Sequence, residues 1–212
     1  MNQAGAGSSG LAQAGGQGAS ADQRRSHAMQ SLARHLESHF GLQVADLGGL
    51  NQNNLDFVTG SGHRLYAVDL IVGYDSFFSR GEISEGKADE ARIAEFLEAT
   101  LDGTGRRLSA VLLWDRLQFL LPQVALALVE RLRAVMEPGG LLLAMFHPES
   151  AGSAAPLDCR ILGDSFVKAV PRPPLRPVER FNPRTVERLF SGFGSLKFFV
   201  TRDSLQEVLV RR

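Results

Sequence analysis

A single cysteine, Cys159, stands in a chain of 212 residues, so no disulfide forms within the chain. That suits a reducing compartment, and the expected location is the cytoplasm. Cys159 has no base near it in sequence and reads as a plain thiol. Neither charge is in excess: Lys+Arg and Asp+Glu number 23 each. Nothing in the bulk charge argues for nucleic acid or an anionic membrane as partner. A membrane-length apolar run is also missing. Leu117 to Leu128 comes closest, and Pro122 and Gln123 interrupt it short of the roughly 18 residues a span needs. No basic-then-apolar leader opens the chain. The five histidines are scattered, without HExxH or paired-ligand spacing, so no metal site is expected. Apolar bulk is nearly absent from residues 1–21, which are mostly Gly, Ala, Ser and Gln. Such a stretch does not bury enough surface to offset its ordering entropy, and a disordered tail is expected there. Residues 22–212 then make one domain of ordinary size, and the 44% hydrophobic content supports a sizeable core.

The most informative stretch is LQVADLGGLNQNNLDFVTGSGHRLYAVDL, Leu42 to Leu70. Val44 to Leu47 is short and apolar, as a buried parallel strand is. Gly48 and Gly49 follow at once, where the backbone turns sharply. Asn51 to Thr59 fits one short helix, and Gly60 and Gly62 stop it. Arg64 to Asp69 is a second strand ending in an acid. A glycine turn after one strand and an acid at the end of the next is how a βαβ unit holds a nucleoside: the backbone approaches the ligand, and the acid accepts from the ribose hydroxyls. A βαβ unit without any ligand has the same pattern.

Before this unit, Ser20 or Asp22 is placed to cap a helix running to about Phe40, with Met29, Leu32, Leu36 and Phe40 on one stripe. After it, residues 71–86 mix aromatics with glycines and suggest a short helix and a loop over a cleft. Ala88 to Ala94 has a helical pattern, and Ala94 to Leu101 reads as a third strand. Leu108 to Trp114 is the clearest strand, apolar throughout and therefore central. Gln123 to Met136 is an amphipathic helix closed by Pro138-Gly139-Gly140, and Leu141 to Phe146 is another buried strand. Ala151 to Pro156 is a loop, and Ile161 to Val170 reads as an edge strand. Four prolines between Pro171 and Pro177 exclude that segment from a sheet interior; Arg172, Arg176 and Arg180 within or beyond it suit a solvated loop or contact with an anion. A helix from Asn182 or Thr185 to Phe190 and two strands, Leu196–Thr201 and Leu205–Val210, finish the chain. Alternating strands and helices imply a mostly parallel sheet with helices on both faces.

Taken with VADLGG, LYAVDL, AVLLWDRLQFLLP, LRAVMEPGGLLLAMFH and the closing FGSLKFFVTRDSLQEVLVRR, the chain from Leu42 onward resembles the class I S-adenosylmethionine-dependent methyltransferases. The resemblance implies a Rossmann-like sheet of seven strands, the last antiparallel to the rest. It implies S-adenosylmethionine as cofactor, with Asp46, Gly48, Gly49 and Asn51 or Asn53 around its methionine part. Asp69 would hold the ribose. Leu101 and Asp102 would lie near the adenine, and Trp114 and Asp115 would floor the cleft beside the methyl group. Trp114 also suits a plug at the strand end, Asp115 a helix cap, and His147 either a base or an ordinary loop residue. The family turn usually reads acid-x-Gly-x-Gly-x-Gly, whereas Leu50 and Gln52 hold the last two glycine positions here. Two functions are therefore expected in competition: a methyltransferase acting on a small molecule, and a methyltransferase-like module that binds a partner without catalysis. A nicotinamide-dependent dehydrogenase fits less well, because its three-glycine fingerprint is incomplete.

Overall fold

The structure, a computed structural model, describes residues 23–101, 107–201 and 205–212. The expected tail at 1–21, and Asp102 with it, lie outside the described residues. The chain runs β1 (Gln23–Arg25), α1 (His27–Glu37), β2 (Gln43–Asp46), α2 (Gln52–Gly60), β3 (Arg64–Ala67), α3 (Leu70–Phe77), α4 (Arg80–Ser84), α5 (Glu90–Leu101) and β4 (Leu108–Trp114). A 3-10 turn at Arg116–Phe119 leads into α6 (Pro122–Val135) and β5 (Met136–Phe146). Then come β6 (Ser153–Ala154), β7 (Leu157–Gly163), β8 (Phe166–Pro171), β9 (Arg176–Pro177), α7 (Pro183–Leu189), β10 (Ser195–Val200) and β11 (Gln206–Arg211).

The main sheet has six strands in the order β10-β11-β5-β4-β2-β3. β3, β2, β4 and β5 pair in parallel, and β11 enters antiparallel between β5 and β10. Six replaces the expected seven because Ala94 to Leu101 is not a strand. It is the second half of α5, where Ile93, Phe96, Leu97, Thr100 and Leu101 are buried at helical spacing. A run this apolar at one end reads equally as strand; the 3.6-residue period settles it. Residues 71–86 are likewise more helical than expected, forming α3 and α4.

Side chains along the central strands alternate between two apolar layers, as the pleat requires. Val111 and Leu113 of β4, with Leu142, Ala144 and Phe146 of β5, face the cluster built on α3, α5, α6 and α7. Ala110, Leu112 and Trp114, with Leu141, Leu143 and Met145, face the other cluster. That second layer is α1, α2 and a small sheet, β1-β8-β7. The single edge strand expected at Ile161–Val170 is therefore a hairpin, β7 and β8, antiparallel to each other. The proline-rich segment does pair, but only at its ends: Pro171 closes β8 opposite Leu157, and the two residues of β9 lie against β6.

The first helix also differs from expectation. Ser26 caps it, accepting from the Met29 amide at 2.9 Å, and residues 23–25 are extended along β8. It ends at Glu37, so Phe40 lies beyond it and is 91% exposed instead of completing the apolar stripe.

Candidate functional site

Three of the sequence candidates meet at the carboxyl ends of β2 and β4. Asp46 ends β2 fully buried. Its Oδ1 accepts from the Gly48 amide at 2.9 Å and from Trp114 Nε1 at 2.8 Å. Its Oδ2 accepts from Asn54 Nδ2 at 2.6 Å. Burial pushes the Asp46 carboxyl above the ordinary carboxylate range, although the bonds from Asn54, Gly48 and Trp114 and the charge of Arg116 oppose this. Trp114 ends β4 in the left-handed region, at φ 54. That turn lays the indole over Gly48: a Cβ placed on Gly48 would stand 2.5 Å from Trp114 Cδ1.

Asp69 lies two residues past the end of β3 and caps α3, accepting from the Val72 amide at 3.2 Å. Gly49, at φ 97, brings the turn against it; a Cβ there would lie 3.3 Å from Asp69 Oδ2. Gly48 and Asp69 are bridged through their backbones. The second carboxylate oxygen of Asp69 accepts from Arg172 Nη1 at 2.6 Å. Burial raises the Asp69 carboxyl, but the Arg172 and Val72 bonds and the charges of Arg172 and Arg116 outweigh it and leave it below the usual range.

Asp115 does not cap the turn that follows it. Its Oδ1 accepts from Arg116 Nη1 at 2.6 Å, and its Oδ2 takes the Leu157 amide at 3.0 Å and His147 Nε2 at 3.1 Å. Arg116 in turn donates to the carbonyls of Gly48 and Leu157, both at 3.0 Å. Its Nε is buried and has no partner among the described residues. Asn54 donates to the Cys159 carbonyl at 3.0 Å and accepts from the Ile161 amide at 2.8 Å. β7 pairs with β8 along one edge, and along the other its alternate residues Leu157, Cys159 and Ile161 are satisfied by side chains of the turn after β4 and of α2 with its cap. The small sheet is thereby fastened over the ends of β2 and β4.

Asn53 is exposed on α2 and takes no part in this network. Asn51 caps α2 through the Asn54 amide at 3.0 Å. Asn54, Arg116 and Arg172 are the residues that the sequence reading left out of the site. Arg172 was visible only as a cation among prolines. Nothing local marks Asn54, whose partners on β7 lie more than a hundred positions away. Cys159 is buried, and burial pushes its thiol well above the usual value, which disfavours the thiolate.

Beside this network, on the helix that Asp69 caps, a cavity of about 670 Å³ opens between α3, α4, the 3-10 turn and β9. Tyr74, Phe78, Ile83, Phe119 and Leu120 supply its apolar wall, and Arg80 and Glu179 lie on its polar side. The Arg176–Asp75 ion pair closes one edge.

No family model matches the chain, and no curated protein matches it in sequence. Among solved structures, an S-adenosylmethionine-dependent methyltransferase from Clostridium acetobutylicum is similar over 87% of this chain and 89% of its own, at 9% identity and a TM-score of 0.50. DesVI from Streptomyces venezuelae is similar over 86% and 88%, at 13% identity and a TM-score of 0.49. The glycopeptide N-methyltransferase MtfA, complexed with S-adenosylhomocysteine, is similar over 86% of each chain, at 15% identity and a TM-score of 0.44. The α/β fold of this chain is methyltransferase-like.

Proposed function

We propose that this chain binds S-adenosylmethionine at the carboxyl ends of β2, β3 and β4 and methylates a small molecule, from a conformation more open than the one described. The observation that carries the reading is Asp69, set past the end of β3 against the Gly48-Gly49 turn, where an open α/β sheet places a nucleoside. The chemistry of the donor set fits the cofactor. Asp69 offers a carboxylate to ribose hydroxyls, and Arg116, paired with Asp115, keeps an Nε–H without a partner among the described residues that suits a carboxylate oxygen. The space is taken by the protein itself: Trp114 covers Gly48, and Arg172 occupies Asp69.

When bound, the cofactor supplies an electrophilic methyl group. The residues of this chain bind and orient; Asp69 exchanges Arg172 for the ribose, and the neighbouring 670 Å³ cavity receives an acceptor of small-molecule size. The Arg172 contact is the easier one to open, since the two side chains are 40% and 21% exposed. Apparent affinity is reduced by the fraction of molecules that are open.

Calorimetric titration with S-adenosylmethionine and S-adenosylhomocysteine tests this on the intact chain and on Arg172→Ala. Binding is expected in both and is tighter in the variant. At a hundredfold excess over the dissociation constant, the ligand raises stability by about 2.7 kcal/mol. Absence of heat and of thermal shift in both proteins overturns the reading.

One observation favours the second reading, a methyltransferase-like module that binds a partner without catalysis. Asp46, Asn54, Trp114 and Arg116 are all fully or almost fully buried and bonded to one another or to β7, as in a permanent plug. That reading stands if no cofactor binds and Arg172→Ala keeps the native fold.

A further inference from the structure

The amino ends of the strands, on the side of the sheet opposite Asp46 and Asp69, hold a second concavity of about 480 Å³. Arg34 and His35 reach it from α1, Lys197 from β10 and Arg211 from β11. None of the Arg34, Lys197 and Arg211 side chains has a hydrogen bond or ion pair among the described residues. Glu137 is the one carboxylate in the lining, and it is held by the Ser109 hydroxyl at 2.9 Å. Among the lining side chains, three permanent cations stand against one carboxylate, in a chain whose formal net charge is zero.

Arg34 and His35 belong to the last turn of α1, where cations suit the helix end. Lys197 and Arg211 come from strands and have no such reason to be there. Arg211 Nη1 lies over the left-handed Gly139 of β5, 4.0 Å from where a Cβ there would stand. The rings of His35 and His39 lie 4.7 Å apart at the same wall. An adjoining depression shares Leu42, Ser109 and Glu137 and adds Arg107 and the exposed Phe40.

We propose that this concavity is a binding site for a compact oxyanion carrying two or more negative charges, either phosphate-bearing or polycarboxylate, with Lys197 and Arg211 as its principal contacts. Unpaired guanidinium and ammonium groups converging from separate elements are what multivalent recognition of such a group needs. The proposal is independent of the cofactor reading, since the two sites lie at opposite ends of the sheet. Consistent with a positive field here, the His35 imidazole is held below its usual value, by burial first and then by His39 and Arg211.

The test is calorimetric titration of the full chain at low ionic strength with inorganic pyrophosphate and, separately, citrate. Arg211→Gln, Lys197→Gln and the remote control Arg184→Gln are titrated alongside. Either probe should bind to the natural chain. Each of the first two variants should weaken it about tenfold or more, with Arg184→Gln unchanged. Tighter pyrophosphate assigns the site to phosphate, and tighter citrate to carboxylates. No binding of either probe, or equal weakening in all three variants, overturns the proposal. Thermal melts without ligand show that each variant is folded, and Lys197→Gln carries the test should Arg211→Gln not fold.

Discussion

At the scale of single residues, Gly48 and His63 are two positions where the structure leaves little room for substitution. A methyl group on Gly48 meets a buried indole, not the end of a flexible chain. Gly48→Ala should cost about 1–3 kcal/mol in a denaturant titration, as overpacking does, whereas Gly152→Ala, with nothing within 4 Å, should cost almost nothing. Trp114→Phe keeps the ring but removes one of three donors from the buried Asp46 carboxylate. An expected loss of about 1–3 kcal/mol, measured the same way, follows from leaving that oxygen short of a partner. His63 is buried, with Nδ1 facing the Leu42 amide at 3.2 Å and Nε2 facing the Leu36 carbonyl at 3.1 Å. The amide needs an acceptor and the carbonyl a donor, so the pair selects one neutral tautomer. Burial holds His63 below its usual 6.5, and His35 is lowered as well. A base with a lowered folded value binds fewer protons folded than unfolded, so stability is full above 6.5 and falls as pH drops below it. Denaturation midpoints should decline from about pH 7 to about pH 5, and His63→Asn should flatten that slope. An equal slope in the variant would remove His63 as the cause.

Among the elements, β7 is held along one edge by side chains. Asn54 bonds to Asp46, Cys159 and Ile161 at once, and Asn51 adds a bond to the Cys159 carbonyl at 3.3 Å. Asn54→Leu should lower stability by about 3 kcal/mol and speed amide exchange at Ile161, while β4 exchanges as before. Unchanged exchange at Ile161 would mean that β8 and the apolar contacts hold β7 without Asn54. The difference between β4 and β7 also explains what was legible in the sequence. β4 and β5 declare themselves because both faces are apolar over six or seven residues. β2, its glycine turn, α2 and β3 are recognisable from local chemistry alone. The end of α5 reads as strand because a short apolar run carries both periods until its neighbours are weighed. β7 and β8 read as one edge strand in sequence, since their identity lies in Gly163 to Ser165, a turn, and in partners on α2 and on the turn after β4. The site divides in the same way. Asp46, Gly48, Gly49, Asp69, Trp114 and Asp115 sit at strand ends that the pattern marks, and the structure brings them together. Asn54, Arg116 and Arg172 join them only through tertiary contacts.

At the scale of the whole molecule, one sheet separates two apolar layers, and each central strand contributes to both. Removing bulk from a shared strand should be felt on both sides: Leu112→Ala, fully buried in β4, should cost about 2–5 kcal/mol and leave a single cooperative unfolding transition. Two resolved transitions would show that the layers unfold independently. The placing of β11 has a further consequence, one of timing. Gln206–Arg211, made about 60 residues after β5 ends, is the strand that joins β5 to β10. Until it leaves the ribosome, β5 presents an unpaired edge of Leu and Met, and β10 has no neighbour in the sheet. The first described strand waits as well, because β1 pairs with β8 some 140 positions later. Closure thus joins distant stretches of chain, and refolding from denaturant should take milliseconds to seconds, not microseconds. During that interval the open edge of β5 is the point at which two nascent chains would pair with each other.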